Sequence, residues 1–177
     1  TKYIISPQPL NVPDIPQAIA ANGLYVYRNP RTLPWFYLAS QYLVEENEDA
    51  IFDHLLDPSF DPSTTPIVET ELPGLATRSD ETANDIIDQK AYDSRRGFIE
   101  LEVTTNGPRL LVVSENFHPF WEAAINGTLV PLVRVNYVWK GVVVPSGKST
   151  VQFTYKDPIA IACRWISLLS VICLIGA

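Results

Sequence analysis

The feature that most constrains the fold is a series of short apolar runs, separated by turn residues, over residues 109–158. Residues 109–115 are almost wholly apolar, which is typical of a strand covered on both faces. Residues 120–125 and 128–135 flank Asn126-Gly127, and Asn-Gly between apolar runs predicts a type I′ hairpin because both residues tolerate positive φ. The stretch therefore predicts closely spaced antiparallel strands.

The rest of this stretch continues the pattern. Residues 137–144 lead to a turn at Pro145-Ser146-Gly147, and residues 150–156 then alternate between apolar and polar side chains. That alternation is the period of a half-buried strand. We therefore expect five strands in the stretch.

Upstream segments predict further strands and one helix. A second Asn-Gly turn, Asn22-Gly23, predicts another hairpin. Asn47 is a suitable N-cap for a helix over residues 48–56. The remaining predicted strands are residues 17–21, 24–28, 35–44, 67–71, 85–92 and 99–104. Together these elements predict a mainly β chain: an antiparallel β-sandwich, jelly-roll or immunoglobulin-like, with one short helix.

The C-terminal segment has a different composition. Residues 159–177 contain a single charged residue, Arg164, and about 20 apolar residues are enough to span a bilayer. Arg164 could reach the headgroups from one end, and Trp165 suits the interface beside it. The alternative is a buried amphipathic helix, but residues 165–177 show no polar stripe. We expect the start of a transmembrane helix, with the lipid bilayer as its partner.

Charge and residue inventory argue against several classes of function. The formal net charge is −7, and residues 45–93 carry 14 acidic against 2 basic residues, so no basic face is concentrated for nucleic acid. His54 and His118 have no Cys or His nearby in sequence, which argues against a metal site. Cys163 and Cys173 are too far apart along one helix for a disulfide. We expect no cofactor.

Several motifs within these elements occur in an order that resembles that of the C-terminal domain of the bacterial YfhO-like membrane proteins. The main run is VSENFHPFWEAAINGTLVPLVRVNYVWKGVVVPSGKSTVQFTY, residues 113–155. LYVYRNPRTLP at 24–34, LLDPSFDP at 55–62 and WISLL at 165–169 also fit. These family members are multi-spanning relatives of glycosyltransferases that use lipid-linked sugars.

The resemblance implies a location and a division of labour. The parent protein would transfer sugars from a polyprenyl-phosphate carrier to a cell-envelope glycopolymer, at the bacterial cell membrane. This chain would be its extracytoplasmic C-terminal domain, with a binding or supporting role. In such transferases the catalytic acid lies between early membrane helices, so we expect no catalytic residue here. Thr1 and the lack of Met also lead us to expect a segment of a longer protein.

The expected organisation has three parts. Residues 1–23 would be the tail of an upstream region and a linker, residues 24–158 the β-sandwich, and residues 159–177 a truncated membrane helix.

Aromatic residues supply the candidate binding site. Aromatic faces stack on sugar rings and also fill sandwich cores, and both interpretations stay open for Trp121 and Trp139. Loops 116–120 and 134–138 could lie together at one end of the sandwich. The candidate glycan-binding residues are Asn116, His118, Trp121, Asn136, Tyr137 and Trp139.

Two other functions stay open. One is a membrane-tethered carbohydrate-binding or adhesion module without a transferase. The other is an envelope hydrolase, using either the carboxylates of Glu100 and Glu102 or an arrangement of Ser114, Glu115 and His118. A solvated strand face is the simpler interpretation of Glu100 and Glu102. Asn126-Gly127-Thr128 also matches a glycosylation acceptor, which we interpret as a turn.

Overall fold

The computed structural model describes residues 2–11, 15, 17–30, 32–75, 85–93, 95–160, 163 and 165–167. Within these residues the chain forms fourteen strands, a helix of nine residues and further helical residues at 158–160, 163 and 165–167, so it is mainly β, as predicted. It divides into two compact units, Thr1–Pro34 and Trp35–Ala177.

The first unit is a three-stranded antiparallel sheet. Its strands are β1 (Tyr3–Ser6), β2 (Gln17–Ala21) and β3 (Leu24–Arg28), in the order β1-β3-β2. The predicted hairpin is confirmed: Asn22 has φ 53° and Gly23 has φ 74°. The sequence analysis placed residues 24–28 with the larger domain, whereas β3 pairs here with β1 and β2.

The second unit holds the remaining elements. In chain order they are β4 (Phe36–Ala39), β5 (Leu43–Val44), α1 (Glu48–Leu56), β6 (Ile67–Val68), β7 (Ile86–Asp93), β8 (Phe98–Thr105), β9 (Arg109–Asn116), β10 (Trp121–Ile125), β11 (Thr128–Val130), β12 (Val133–Val135), β13 (Trp139–Val144) and β14 (Gly147–Tyr155). One sheet has the order β11-β10-β14-β8-β7 and the other β4-β9-β13-β12-β6-β5. All pairs are antiparallel except β5 with β6.

The two sheets pack face to face, as expected for a sandwich. Alternate residues of β8, β9, β10, β13 and β14 form one buried cluster: Ile99, Leu101, Val103, Leu111, Val113, Ala123, Ile125, Val142, Val144, Val151 and Phe153. This alternation explains the polar outer face of β8, because its intervening residues point to solvent. The predicted hairpin at Asn126-Gly127 is also confirmed, since both residues have positive φ.

The predicted strand over residues 128–135 is two strands in different sheets. Thr128–Val130 pairs with β10, and Val133–Val135 pairs with β13. Pro131 lies between them, and a proline has no N–H to donate to a ladder. Residues 109–158 therefore contain six strands, β9 to β14, rather than five.

The predicted strand over residues 35–44 also divides, and its division shows that the six-stranded sheet curls. Its two pieces, β4 and β5, lie on opposite edges of that sheet. Four Cα steps separate Ala39 from Leu43 and reach at most about 15 Å. A flat sheet would hold edges five strand spacings, or about 24 Å, apart. The sheet must therefore curve so that its edges approach.

The inside of this curve is a second core. Leu110 and Val112 lie on the face of β9 away from the sandwich core and are nevertheless fully buried. At Gly141 the backbone of β13 lies too close to its neighbours for a side chain. A Cβ there would lie 2.9 Å from both the Leu111 carbonyl oxygen and Val135 Cγ2. The apolar run predicted for residues 109–115 is thus covered on both faces, as expected.

The predicted helix is confirmed with its bounds. The Asn47 side chain accepts a hydrogen bond from the Ala50 amide at 3.0 Å, which caps α1. Ile51 is buried, but Phe52 and Leu56 are exposed. The helix therefore uses a narrow part of its surface to pack on the domain.

One end of the sandwich collects aromatic residues, and we call it the aromatic end. β4 and β10 begin there and β7 and β14 finish there, since Trp121 pairs with Tyr155 and Tyr155 N donates to Gly97 O. The rings of Trp35 and Tyr92 meet edge to face at 4.5 Å across the two sheets. The chain thus enters the second unit at Trp35 and leaves β14 at the same end.

The predicted membrane helix falls mostly outside the described residues, which include 158–160, 163 and 165–167 of that region, all helical. In the part of the chain that the structure describes, no helix has the length and apolar character needed to cross a bilayer. Ile159, Trp165 and Ile166 are more than half exposed.

Candidate functional site

A turn between β9 and β10 places three rings together at the aromatic end. His118 Nδ1 accepts a hydrogen bond from the Phe120 amide at 3.2 Å, and the His118 carbonyl accepts from the Trp121 amide at 3.0 Å. A neutral His118 therefore carries its proton on Nε2. The His118 ring lies 4.6 Å from Phe120 and 5.6 Å from Tyr155, centroid to centroid. His118 is exposed, so this group offers aromatic edges to solvent.

Beneath these rings lies a fully buried lysine. Lys140 Nζ is 3.1 Å from the centroid of the Trp121 ring and 2.6 Å from Glu115 Oε2. Lys140 belongs to β13 and Trp121 to β10, so the cation–π contact joins the two sheets. Burial lowers the pKa of Lys140 to about 8, against the opposing effect of the Glu115 carboxylate.

An irregularity in β9 places the carboxylate beside this ammonium group. Lys140 pairs with Val113, while Trp139 pairs with Asn116, so Ser114 and Glu115 fall between two consecutive pairs of the β9–β13 register. Such bulges redirect a side chain, and here Glu115 reaches Lys140 while remaining about a third exposed.

The geometry limits what Trp121 can bind. Its ring face toward Lys140 is occupied by the ammonium group, and the ring packs on the sandwich core. Tyr155 meets it edge to face at 5.4 Å. A sugar could therefore reach the outer edge of Trp121 but could not stack on the Lys140 side.

The two predicted loops do lie side by side. Phe117 N donates to Val138 O at 2.7 Å, and Trp139 pairs with Asn116. Trp139 nevertheless faces away from Trp121, since its ring meets Tyr37 edge to face inside the curled sheet. The structure thus brings His118 and Trp121 together and places Trp139 on the opposite face of its sheet.

Asn136 is a structural residue of the second core. Its side-chain oxygen accepts from Ile67 N at 2.8 Å, its own amide N–H donates to Ile67 O at 2.8 Å, and its side-chain nitrogen donates to Tyr37 Oη at 3.2 Å. Burial raises the pKa of Tyr37. Asn136 therefore ties β4, β6 and the β12–β13 turn together and is buried from solvent.

Tyr137 follows in an unusual backbone conformation. Asn136 has φ 45° and Tyr137 φ 69°, and positive φ is rare for a bulky residue. The Tyr137 ring packs on Phe52 at 4.5 Å, and the Arg134 guanidinium lies over it at 5.3 Å. Tyr137 thus belongs to a surface next to α1 rather than to the rings at the aromatic end.

Sequence reasoning missed Lys140 and Tyr155 as members of this site. Lys140 stands two residues before Val142 and four before Val144, at an inward position of an alternating strand. A charge at an inward position must be paired when buried, and that pattern could have identified it. Tyr155 occupies the corresponding inward position two residues after Phe153.

The carboxylates considered for hydrolysis have partners. On the outer face of β8, Glu102 pairs with Lys148 at 2.8 Å, and Glu100 accepts from Gln152 at 2.7 Å. Glu115, from the arrangement with Ser114 and His118, pairs with Lys140. Among the described residues, no group of three His, Cys, Asp or Glu side chains could hold a metal ion.

Comparison with known proteins found no matching family model, no matching curated protein and no matching solved structure.

Proposed function

We propose that this chain is the extracytoplasmic C-terminal domain of a YfhO-like membrane protein of the bacterial envelope. The parent protein would transfer sugars from a polyprenyl-phosphate carrier to a cell-envelope glycopolymer. The domain itself would bind or position the polymer rather than break bonds. The motif order from residue 24 to residue 169 motivates this proposal.

The observation that supports the membrane part is the exposure of the large apolar side chains described at the start of the C-terminal segment. Ile159, Trp165 and Ile166 are apolar and helical, and each is more than half exposed. Exposed apolar side chains such as these favour an apolar environment. The sequence that follows, through Ala177, has no charged residue, and together with the described part it is long enough for a bilayer.

Liposome flotation tests this tether. The full chain should float with neutral phosphatidylcholine vesicles, and a version ending at Pro158 should remain at the bottom of the gradient. Flotation of the shortened version would show that the β-domain itself binds lipid and would contradict the tether.

The sidedness and the transferase role require intact cells. Leu129 is exposed at the hairpin far from the aromatic end, so Leu129→Cys should react with a membrane-impermeant maleimide from outside when Cys163 and Cys173 are both replaced by Ser. Deleting residues 35–156, which leaves the N-terminal sheet whole, should reduce the sugar content of the envelope polymer. If Leu129→Cys is not labelled in intact cells and reacts only after lysis, the proposed side of the membrane is wrong.

A membrane-tethered carbohydrate-binding module is the second candidate. It is favoured by the edges of His118, Phe120 and Tyr155 at the aromatic end, because such rings contact sugars in binding sites. Purified cell-wall sacculi that retain their glycopolymers should then sediment the full chain in detergent. Phe120→Ala should weaken this about tenfold, and the control Leu129→Ala should not.

A further inference from the structure

We propose that α1 and the β12–β13 turn form a docking surface for a basic polypeptide segment that carries apolar side chains. The surface is a stripe of four residues, Phe52, Leu56, Tyr137 and Val138, which we call the α1 stripe. Phe52 and Leu56 are four residues apart and so share one face of the helix. The Phe52 ring meets the Tyr137 ring at 4.5 Å, which joins the helix to the turn.

The α1 stripe is apolar and open to solvent. Phe52 is 42% exposed, Leu56 78% and Val138 46%. Single exposed apolar residues are ordinary, but a contiguous group on two elements is typical of an interaction site. A short helix with Ser or Lys at these two positions would pack its buried Ile51 equally well.

Negative charge near the α1 stripe favours a partner with positive charge. Residues 45–71 contain nine acidic residues and no Lys or Arg. These acids are Glu45, Glu46, Glu48, Asp49, Asp53, Asp57, Asp61, Glu69 and Glu71. Glu48 lies at the Tyr137 hydroxyl, and Asp49 and Asp53 share α1 with Phe52 and Leu56. An apolar stripe with carboxylates beside it complements a segment with apolar side chains between Lys or Arg residues.

Within the domain, a cation already contacts the α1 stripe. The Arg134 guanidinium lies 5.3 Å from the centroid of the Tyr137 ring and pairs with Glu69. The Tyr137 hydroxyl donates to Glu48 Oε2 at 3.5 Å, so a second carboxylate lies at the hydroxyl end of the ring. A partner's Lys or Arg would find the same combination of ring and carboxylate at Phe52, Glu48 and Asp49.

The test is binding of immobilised synthetic peptides to the full chain held in neutral phosphatidylcholine nanodiscs, with empty discs as background. An amphipathic peptide of Leu and Lys should bind, and its affinity should fall as salt rises. A Ser and Lys peptide of equal charge should bind at least about tenfold more weakly. Equal binding of the two, or tighter binding of a Leu and Glu peptide, would overturn the proposal.

Variants locate the binding surface. Phe52→Ser and Leu56→Ser should each weaken binding of the Leu and Lys peptide, and Asp49→Asn with Asp53→Asn should flatten its salt dependence. Leu56→Ser guards against misfolding, because Leu56 is much more exposed than Phe52. Leu129→Ser, the same change at an exposed leucine of strand β11, is the matched control.

Two results would identify a different occupant. If Leu129→Ser weakens binding as much as Leu56→Ser, the peptide binds elsewhere and the proposal fails. If sedimentation shows self-association that Leu56→Ser abolishes, the stripe is a contact between two copies of the chain, which also overturns it.

Discussion

Lys140 and Trp121 make the contact that joins the two sheets at the aromatic end, with the ammonium nitrogen 3.1 Å from the indole centroid. The neighbouring pairs on these strands are apolar, and Glu115 supplies the one carboxylate bonded to this ammonium group in the described structure. A buried charge with one ionic partner is sensitive to loss of that partner. This relationship gives the first two predictions.

Glu115→Ala should lower the free energy of unfolding by about 2–4 kcal/mol, because it leaves the buried ammonium group unpaired. Lys140→Met should cost less than about 1 kcal/mol, since an apolar side chain of similar length fills the site and Glu115 remains partly hydrated. Urea unfolding at pH 7 measures both changes.

An exposed ion pair provides the control for that experiment. Lys156 and Glu122 lie 2.6 Å apart, and both are about half exposed. Glu122→Ala should change stability by less than about 1 kcal/mol. A larger loss in Lys140→Met than in Glu115→Ala would show that the contacts of the ammonium group outweigh the cost of burying it.

The lowered pKa of Lys140 predicts a pH dependence of stability. The pKa is about 8 in the folded chain against 10.5 for an ordinary lysine. Between these values the unfolded chain holds the proton and the folded chain does not, so stability rises with pH in this interval. The gain over the full interval is at most about 3 kcal/mol.

The difference between wild type and Lys140→Met isolates this contribution. The unfolding free energy of the wild type minus that of Lys140→Met should increase from pH 7 to pH 9.5. The contributions of other titratable groups cancel in this difference. A difference that is constant with pH would mean that the lysine keeps an ordinary pKa.

Gly141→Ala should destabilise the second core by about 1–3 kcal/mol, because the new Cβ would lie 2.9 Å from the Leu111 carbonyl and from Val135. Gly141→Val should cost more than Gly141→Ala. Thermal unfolding followed by near-ultraviolet circular dichroism reports both. Equal stability of all three forms would show that the curled sheet can open at this point.

Asn136→Gly should cost about 2–3 kcal/mol, although glycine accepts the positive φ at this position, because the buried Ile67 amide loses its acceptor. Tyr37→Phe should cost less, about 1–2 kcal/mol, since it removes one hydroxyl from the same network. The double variant should be less destabilised than the sum, and full additivity in urea unfolding would argue against a shared network.

Local patterns were enough to predict the local elements. The hairpins at Asn22-Gly23 and Asn126-Gly127 and the helix capped by Asn47 depend on residues close together in sequence. The sandwich class follows from the same alternation, because inward positions of β8 and β14 must share one core.

Long-range geometry could not be predicted in the same way. The curl of the six-stranded sheet depends on Asn136 meeting Ile67 and Tyr37, which are 69 and 99 residues away. The pairing of Glu115 with Lys140 depends on a two-residue register shift between β9 and β13. The apolar sequence of β9 gives no sign of this shift. Trp121 and Trp139 look alike in sequence, yet Trp121 packs on the sandwich core and Trp139 packs on Tyr37 inside the curled sheet.

The chain enters the sandwich unit at Trp35 and leaves it after Tyr155 at one end of the fold. A domain whose two attachment points are neighbours can be grafted into a host loop without stretching that loop. Residues 35–156 thus form a domain that can be inserted into different host proteins, because both of its junctions lie at the same end.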